Sequence, residues 1–334
     1  MKHIRPYGIF EASAAAPAAL TPEQMEWLNE CTKGTWKLNH QTGLVDVDGR
    51  FDCSEQGLSD FKGVRFGVVE RSFWCENNLL TSLVGAPEKV KGSFWCENNR
   101  LTSLEGAPRE VGRDFRCYNN LLTSLVGAPQ KVEGDFYCRN NQLTTLEGAP
   151  REVGESFYCY DNRLTSLEGA PREVRGGFSC DNNLLTSLVG APEKVGVGFY
   201  CSNNLLTSLE GAPREVGVGF YCSNNLLTSL EGAPQKVGSF SCNNNRLTSL
   251  EGAPREVRGS FDCDDNPVPE RTLKSIFSHM GRGGSYLKAV EYLWPKIPVD
   301  DQALLYRPEF KWVGAEEAKK LQAVGRFNKI KGIL

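Results

Sequence analysis

From about residue 50 to residue 268 the chain repeats one phrase of apolar and polar positions. Phe73, Cys75, Leu80, Leu83 and Val90 are the apolar positions of one unit, and Phe94 and Cys96 open the next. The unit reads F-x-C-x-x-N-x-L-T-S-L-x-G-A-P-x-x-V-x-G, with small length changes near the last Gly. Cysteines 53, 75, 96, 117, 138, 159, 180, 201, 222, 242 and 263 mark eleven turns spaced by 20 to 22 residues. A fixed period of this size predicts a solenoid, in which each unit leaves an apolar edge that only its neighbours can cover. Phe and Cys alternate with more polar residues, the period-two signature of a strand with one buried face. Leu-x-x-Leu follows as a second apolar wall. Gly-Ala-Pro turns the chain, because Gly permits unusual φ and Pro fixes its own. Val then closes the turn. The first unit is degenerate, with Gln56 where Asn belongs and Val64-Arg65 in place of Ala-Pro, and the last stops at Asn266-Pro267. Irregular end units are expected of a repeat stack.

One Asn recurs in every full unit: 78, 99, 120, 141, 162, 183, 204, 225, 245 and 266. Its amide offers two donors and an acceptor, so an inward column of Asn satisfies the backbone where the strand turns. The preceding column, at 77, 98, 119, 140, 182, 203, 224 and 244, is read as structural or solvated.

The flanks differ. Residues 1–20 read as a flexible leader, and residues 21–49 as an N-terminal cap of a helix plus a hairpin. Thr21 is the expected N-cap, Pro22 the first helical position and Gln24 the capping-box partner, with Met25, Leu28 and Trp27 on the apolar side. Thr35–Leu38 and Leu44–Val47 are the expected hairpin arms. After the repeats, residues 269–334 read as four helical segments forming a C-terminal cap domain.

The pattern resembles the leucine-rich repeat, L-x-x-L-x-L-x-x-N-x-L, with Phe and Cys at two Leu positions; Val237, Phe240, Cys242, Asn245 and Leu247 match it in order. The short unit is most similar to the bacterial type of about 20 residues. The C-x-x-N-x-L-T-S-L-x-G-A-P phrase also looks like that of uncharacterised repeat proteins of bacteriophages and bacteria. The resemblance implies a mainly β solenoid with a curved parallel sheet whose concave side binds proteins. For a phage protein it further implies a host-directed interaction, such as one with a bacterial defence protein.

Composition narrows the classes. Net charge is −3, so no global field recruits nucleic acid or anionic membrane. No stretch is long and apolar enough for a transmembrane helix. Lys2, Arg5 and the Ala-rich residues 12–19 faintly suggest a signal peptide, but Arg5, Pro6, Gly8 and Glu11 interrupt it. The twelve cysteines invite a disulfide reading. Parallel strands, however, set successive thiols about 4.8 Å apart and pointing the same way, without the paired geometry of a disulfide. Free, core-packed thiols and a cytoplasmic protein are therefore expected. No metal site and no cofactor are expected. His3, His40 and His279 are scattered outside the regular repeats, and no phosphate-binding loop or nucleophile motif occurs. The expected protein is not an enzyme.

What varies is the residue between Phe and Cys: Asp52, Trp74, Trp95, Arg116, Tyr137, Tyr158, Ser179, Tyr200, Tyr221, Ser241 and Asp262. Just after Cys come Glu76, Glu97, Tyr118, Arg139, Tyr160, Asp181, Ser202 and Ser223. Both columns alternate with core positions and are expected to face solvent as an aromatic stripe. Trp, Tyr and Arg dominate binding hot spots. The expected site is therefore Trp74, Glu76, Trp95, Glu97, Arg116, Tyr118, Tyr137, Arg139, Tyr158, Tyr160, Tyr200 and Tyr221, with a protein or peptide as partner. Alternatives are a structural ladder or spacer, a glycan-binding adhesion surface, and single-stranded nucleic acid, which Glu76 and Glu97 beside the tryptophans disfavour.

Overall fold

The computed structural model describes residues 19–248, 250 and 252–267. The expected C-terminal helices lie outside them, as does the leader except Ala19 and Leu20, the latter packed against the core.

The described chain opens with helix α1 (Pro22–Cys31), capped as its sequence dictates: Thr21 Oγ1 accepts from the Gln24 amide, and the Gln24 side chain accepts from the Thr21 amide. Its inward face is Trp27, Leu28 and Cys31, while Met25 is exposed. The expectation had counted Met25 inside. Trp27 decides the helix rotation by packing edge-on against Phe51 at 5.2 Å and Phe66 at 6.3 Å.

Strands β1 (Thr32–Asn39) and β2 (Leu44–Asp52) form an antiparallel hairpin, longer at both ends than the alternation indicated. β1 is the outer arm, and its exposed Lys33 and Lys37 blunt it against further pairing. β2 starts two parallel ladders. Its first half pairs with β3 (Phe66–Val69), and Phe51-Asp52 pairs with Phe73-Trp74.

The first ladder is a column of two- and three-residue strands carrying Phe-x, in strict register from Phe51 to Phe261. Its phenyl rings form one stack through the core, with centroids 5.1 to 5.6 Å apart. The second ladder is built on x-Val, as in Lys89-Val90 and Glu110-Val111. Val had been expected only to close the turn. It is instead the buried half of a strand whose preceding residue carries charge outward. Those charges alternate along the ladder: Lys89 beside Glu110, Glu110 beside Lys131, Lys131 beside Glu152. Between Val153 and Val174 the alternation fails, because Glu152 would face Glu173, and the paired register narrows to the two valines.

Two turns join the ladders. In Leu104-Glu105-Gly106-Ala107 the Ala107 amide donates to Leu104 O at 3.0 Å with Gly106 at φ 89°, a type II turn that requires Gly in third place. A Cβ on Gly106 would meet the Leu83 carbonyl of the turn below at 2.6 Å. The other turn passes through the left-handed region at Asn77, Asn98, Asn119 and Asn140, and at Asp161. Asn and Asp tolerate that region best among residues with a side chain. The Asn pair in each unit therefore has two separate causes.

The inward Asn column works as a backbone surrogate. Asn99 Nδ2 donates to the carbonyls of Cys75, Cys96 and Glu97, and its Oδ1 accepts from the Leu80 amide. Asn120, Asn183 and Asn204 repeat the pattern. Gln56 ends the column by binding the cap, accepting from Trp27 Nε1 at 2.9 Å. The ladder thiols are buried and form no disulfide. Several of them donate to the carbonyl of the next turn, as Cys75 Sγ does to Trp95 O at 3.2 Å.

Candidate binding face

The residue after each ladder Phe points away from the core, but it is not an open surface. Trp74 and Trp95 stack face to face at 4.5 Å with 4° between their planes. The Arg50 guanidinium covers the outer face of Trp74 at 4.0 Å. Arg116 lies over Trp95 at 4.2 Å and over Tyr137 at 5.4 Å, and Tyr137 stacks on Tyr158 at 4.7 Å. Tyr200 and Tyr221 form a second stacked pair at 4.9 Å. Strict register sets this up, because in-register parallel strands bring the same position of each turn one above the other.

The expectation of a solvent-facing stripe is thereby corrected. Trp74, Trp95, Arg116, Tyr137, Tyr158 and Tyr221 are half-buried, Tyr200 is 36% exposed, and Ser179 is buried. Each planar group covers its neighbour's face, so the column turns ring edges outward, while the indole N–H groups of Trp74 and Trp95 are buried within it.

The second column is packed as closely. Arg139 lies over Tyr118 at 4.0 Å and over Tyr160 at 5.5 Å. Tyr160 meets Tyr158 edge to face at 6.5 Å and so joins the two columns. The Tyr118 hydroxyl donates to Glu97 Oε1 at 3.2 Å. Glu97 was expected at the surface; it is only 4% exposed, because Tyr118 closes over it. Burial raises its carboxyl, as it raises Glu76 to about 7, where the charges of Glu97, Asp52 and Glu55 add to the effect.

The residue two before each stripe position was missed from sequence. Asp114 pairs with Arg116 at 3.4 Å, and Asp135 accepts from the Tyr137 hydroxyl at 2.8 Å. Arg50 stands in the same relation to Asp52, 3.7 Å away. The signal was present, since stripe side chains lean back along their own strand and positions two apart share a face.

Polar satisfaction is uneven over the molecule. Among the described residues and apart from Thr32 Oγ1, the buried side-chain atoms without a hydrogen-bond partner are Arg50 Nε, Trp74 Nε1, Glu76 Oε2, Trp95 Nε1, Glu97 Oε2 and Arg116 Nε. All six belong to the first turns of the stripe or to the arginine that covers it.

Shallow hollows lie along the Val ladder, one of them lined by Trp36, Asp46, Glu70, Lys89 and Lys91. Their walls are ion-paired, as Lys91 is with Glu70, and bring no catalytic set together. Among the described residues, no cluster of His, Cys, Asp and Glu is arranged to hold a metal ion, and no helix is long and apolar enough to cross a membrane.

The repeat, the two parallel ladders and the Asn column define the class: a parallel β-solenoid of leucine-rich-repeat type. No family model matches the sequence, and no curated protein is similar to it. Among solved structures the chain is similar to two leucine-rich proteins of bacteria. One is YopM, a leucine-rich effector protein from Yersinia pestis, at 16% identity over 73% of this chain and 86% of that one, with a TM-score of 0.34. The other is a leucine-rich repeat protein of Leptospira interrogans, at 15% identity over 68% and 92%, with a TM-score of 0.23.

Proposed function

We propose that the chain is a protein- or peptide-binding scaffold and that the stripe from Trp74 to Tyr221 is its recognition face. The observation that supports this reading is where the molecule gives up stability. Core positions barely vary, whereas the stripe takes Trp, Arg, Tyr and Ser along its length, and its first turns hold most of the buried polar atoms that lack partners. Each such atom costs on the order of 1–3 kcal/mol, and a face serving only as a ladder would have no reason to keep them. The outward edges suit a protein partner, because phenol and guanidinium groups sit beside apolar ring surface. A glycan would lie on ring faces, and most of those are occupied by the neighbouring turns. The buried thiols fit a reducing compartment, and we place the interaction there.

The test starts from affinity capture with the full chain, followed by titration of the purified partner against two conservative variants. Tyr158→Phe and Tyr221→Phe keep the stack and remove only a phenol hydroxyl. Trp95→Ala and Tyr137→Ala remove the ring as well. Expected are a several-fold loss for the Phe variants and about thirtyfold or more for the Ala variants. Normal binding by all four would overturn the assignment of the face.

A further inference from the structure

The stack of planar groups has one missing rung. Ser179 stands in register between Tyr158 and Tyr200, where its neighbours carry rings. The two tyrosines are thus two strand spacings apart, roughly 9.6 Å. Tyr158 is covered on its other side by Tyr137, and Tyr200 by Tyr221. Tyr200 is also 36% exposed, while Tyr137, Tyr158 and Tyr221 are half-buried.

The chain itself shows what fits an interval of this size. Arg116 fills the two-turn space between Trp95 and Tyr137, with its guanidinium 4.2 and 5.4 Å from the rings. Arg139 does the same between Tyr118 and Tyr160, at 4.0 and 5.5 Å. A guanidinium is planar and weakly hydrated and stacks on aromatic faces, which an ammonium does less well.

The floor of the gap has the matching charge. Ser179 Oγ donates to Asp181 Oδ2 at 2.8 Å, drawing that carboxylate to the base of the opening. The other oxygen accepts from the Ser202 amide at 2.8 Å. Both partners are neutral, and the charge that acts on Asp181 is that of Asp161, also negative. In the filled interval Arg116 has Asp114 at 3.4 Å; here the acid is present and the cation is not. The position two before Ser179 is Gly177, where an added Cβ would meet nothing nearer than 3.4 Å. Gly177 adds no side chain of its own there, and the side-chain atom nearest to that point is Tyr200 Cε2 at 3.7 Å, which belongs to one wall of the gap.

We infer that the gap between Tyr158 and Tyr200 is a slot for one arginine side chain of the partner, stacked between the two rings and paired with Asp181. This deepens the binding-face reading and rests on it.

The probes are the capped tripeptides Gly-Arg-Gly and Gly-Lys-Gly, titrated into the full chain while the ring signals of Tyr158 and Tyr200 are followed by NMR. Expected is binding of the arginine peptide at least tenfold tighter than the lysine peptide, with shifts at both tyrosines. Ser179→Tyr completes the stack without changing net charge and should abolish the arginine effect while holding or raising the thermal midpoint. Asp181→Asn should weaken it about tenfold. If Ser179→Tyr proves unstable, Tyr200→Leu removes one wall and should show the same loss. Equal binding of the two peptides, or arginine binding that survives these substitutions, would overturn the inference. No natural partner is needed. Partner capture that depends on Trp95 and Tyr137 but ignores Ser179→Tyr would leave the binding face standing and remove the slot.

Discussion

Within each unit, adjacent asparagines solve different problems. Asn141 donates to the carbonyls of Cys117, Cys138 and Arg139 and accepts from the Leu122 amide. Asn140 occupies the left-handed region at φ 53°. Asn141→Ala strands several half-buried backbone groups, at about 1–3 kcal/mol together. Asn140→Ala pays for left-handed backbone without the help of an Asn side chain, about 1 kcal/mol, and Asn140→Gly does not. Urea midpoints should therefore fall in the order Asn140→Gly, Asn140→Ala, Asn141→Ala, the last lowest. The sequence made the inside column legible through its donors and acceptors. It left the outer column ambiguous, because a solvated Asn and an Asn chosen for φ look alike in one dimension.

Glu76 gives a second residue-scale expectation. Burial raises its folded pKa to about 7, above the ordinary carboxylate value it regains when unfolded. Between those two values the folded state binds the extra proton. Stability is thus highest below about pH 4.5 and is lost as pH rises through about 7. Glu76→Gln removes the charge. It should raise the thermal midpoint at pH 8 and leave it nearly unchanged at pH 5. A gain that is larger at pH 5 would contradict the burial of this carboxyl.

At the scale of elements, the strands are too short to be stable alone. Two residues supply one or two ladder hydrogen bonds, so order comes from stacking between turns. Trp95 and Arg116 lie on adjacent strands with the guanidinium 4.2 Å above the ring. A double-mutant cycle with Trp95→Ala and Arg116→Ala should return a coupling of about 1 kcal/mol, the range of a half-desolvated cation–π pair. Additive single effects would mean that the two groups are neighbours without interacting. The Phe-x strand was readable from alternation. The x-Val strand was not, since one Val per turn is indistinguishable from a turn-closing residue until its parallel neighbours are in place. The charge alternation from Lys89 to Glu152 was in the sequence throughout, but it acquires meaning only once those residues are known to be adjacent.

At the scale of the molecule, one continuous core joins α1, the hairpin and the repeats, and the thiol column runs its length from Cys31 to Cys263. Burial raises the ladder thiols from Cys53 to Cys242 above the ordinary range, so they are poor nucleophiles at neutral pH. A thiol-specific reagent should therefore label the folded repeats very slowly. Denaturant without reductant should release all twelve thiols. Several thiols missing from that count would mean disulfides and would contradict a reducing compartment. Rapid labelling of the native ladder would mean that the turns open independently rather than as one stack.

By itself the sequence determined the repeat, its period, the inward Phe, Cys, Leu and Asn positions and the capped first helix. Each of these follows from local rules, namely periodicity, turn chemistry and hydrogen-bond capacity, that act within about one unit of chain. Tertiary structure alone decided what the variable positions became. Alternation correctly turned Trp74, Trp95, Arg116 and Tyr137 away from the core. Only strict register over successive turns placed their planes against each other, buried Glu97 under Tyr118 and left an opening at Ser179. Those outcomes depend on contacts between residues about 21 positions apart, and on the distance between turns rather than on the preference of any one residue.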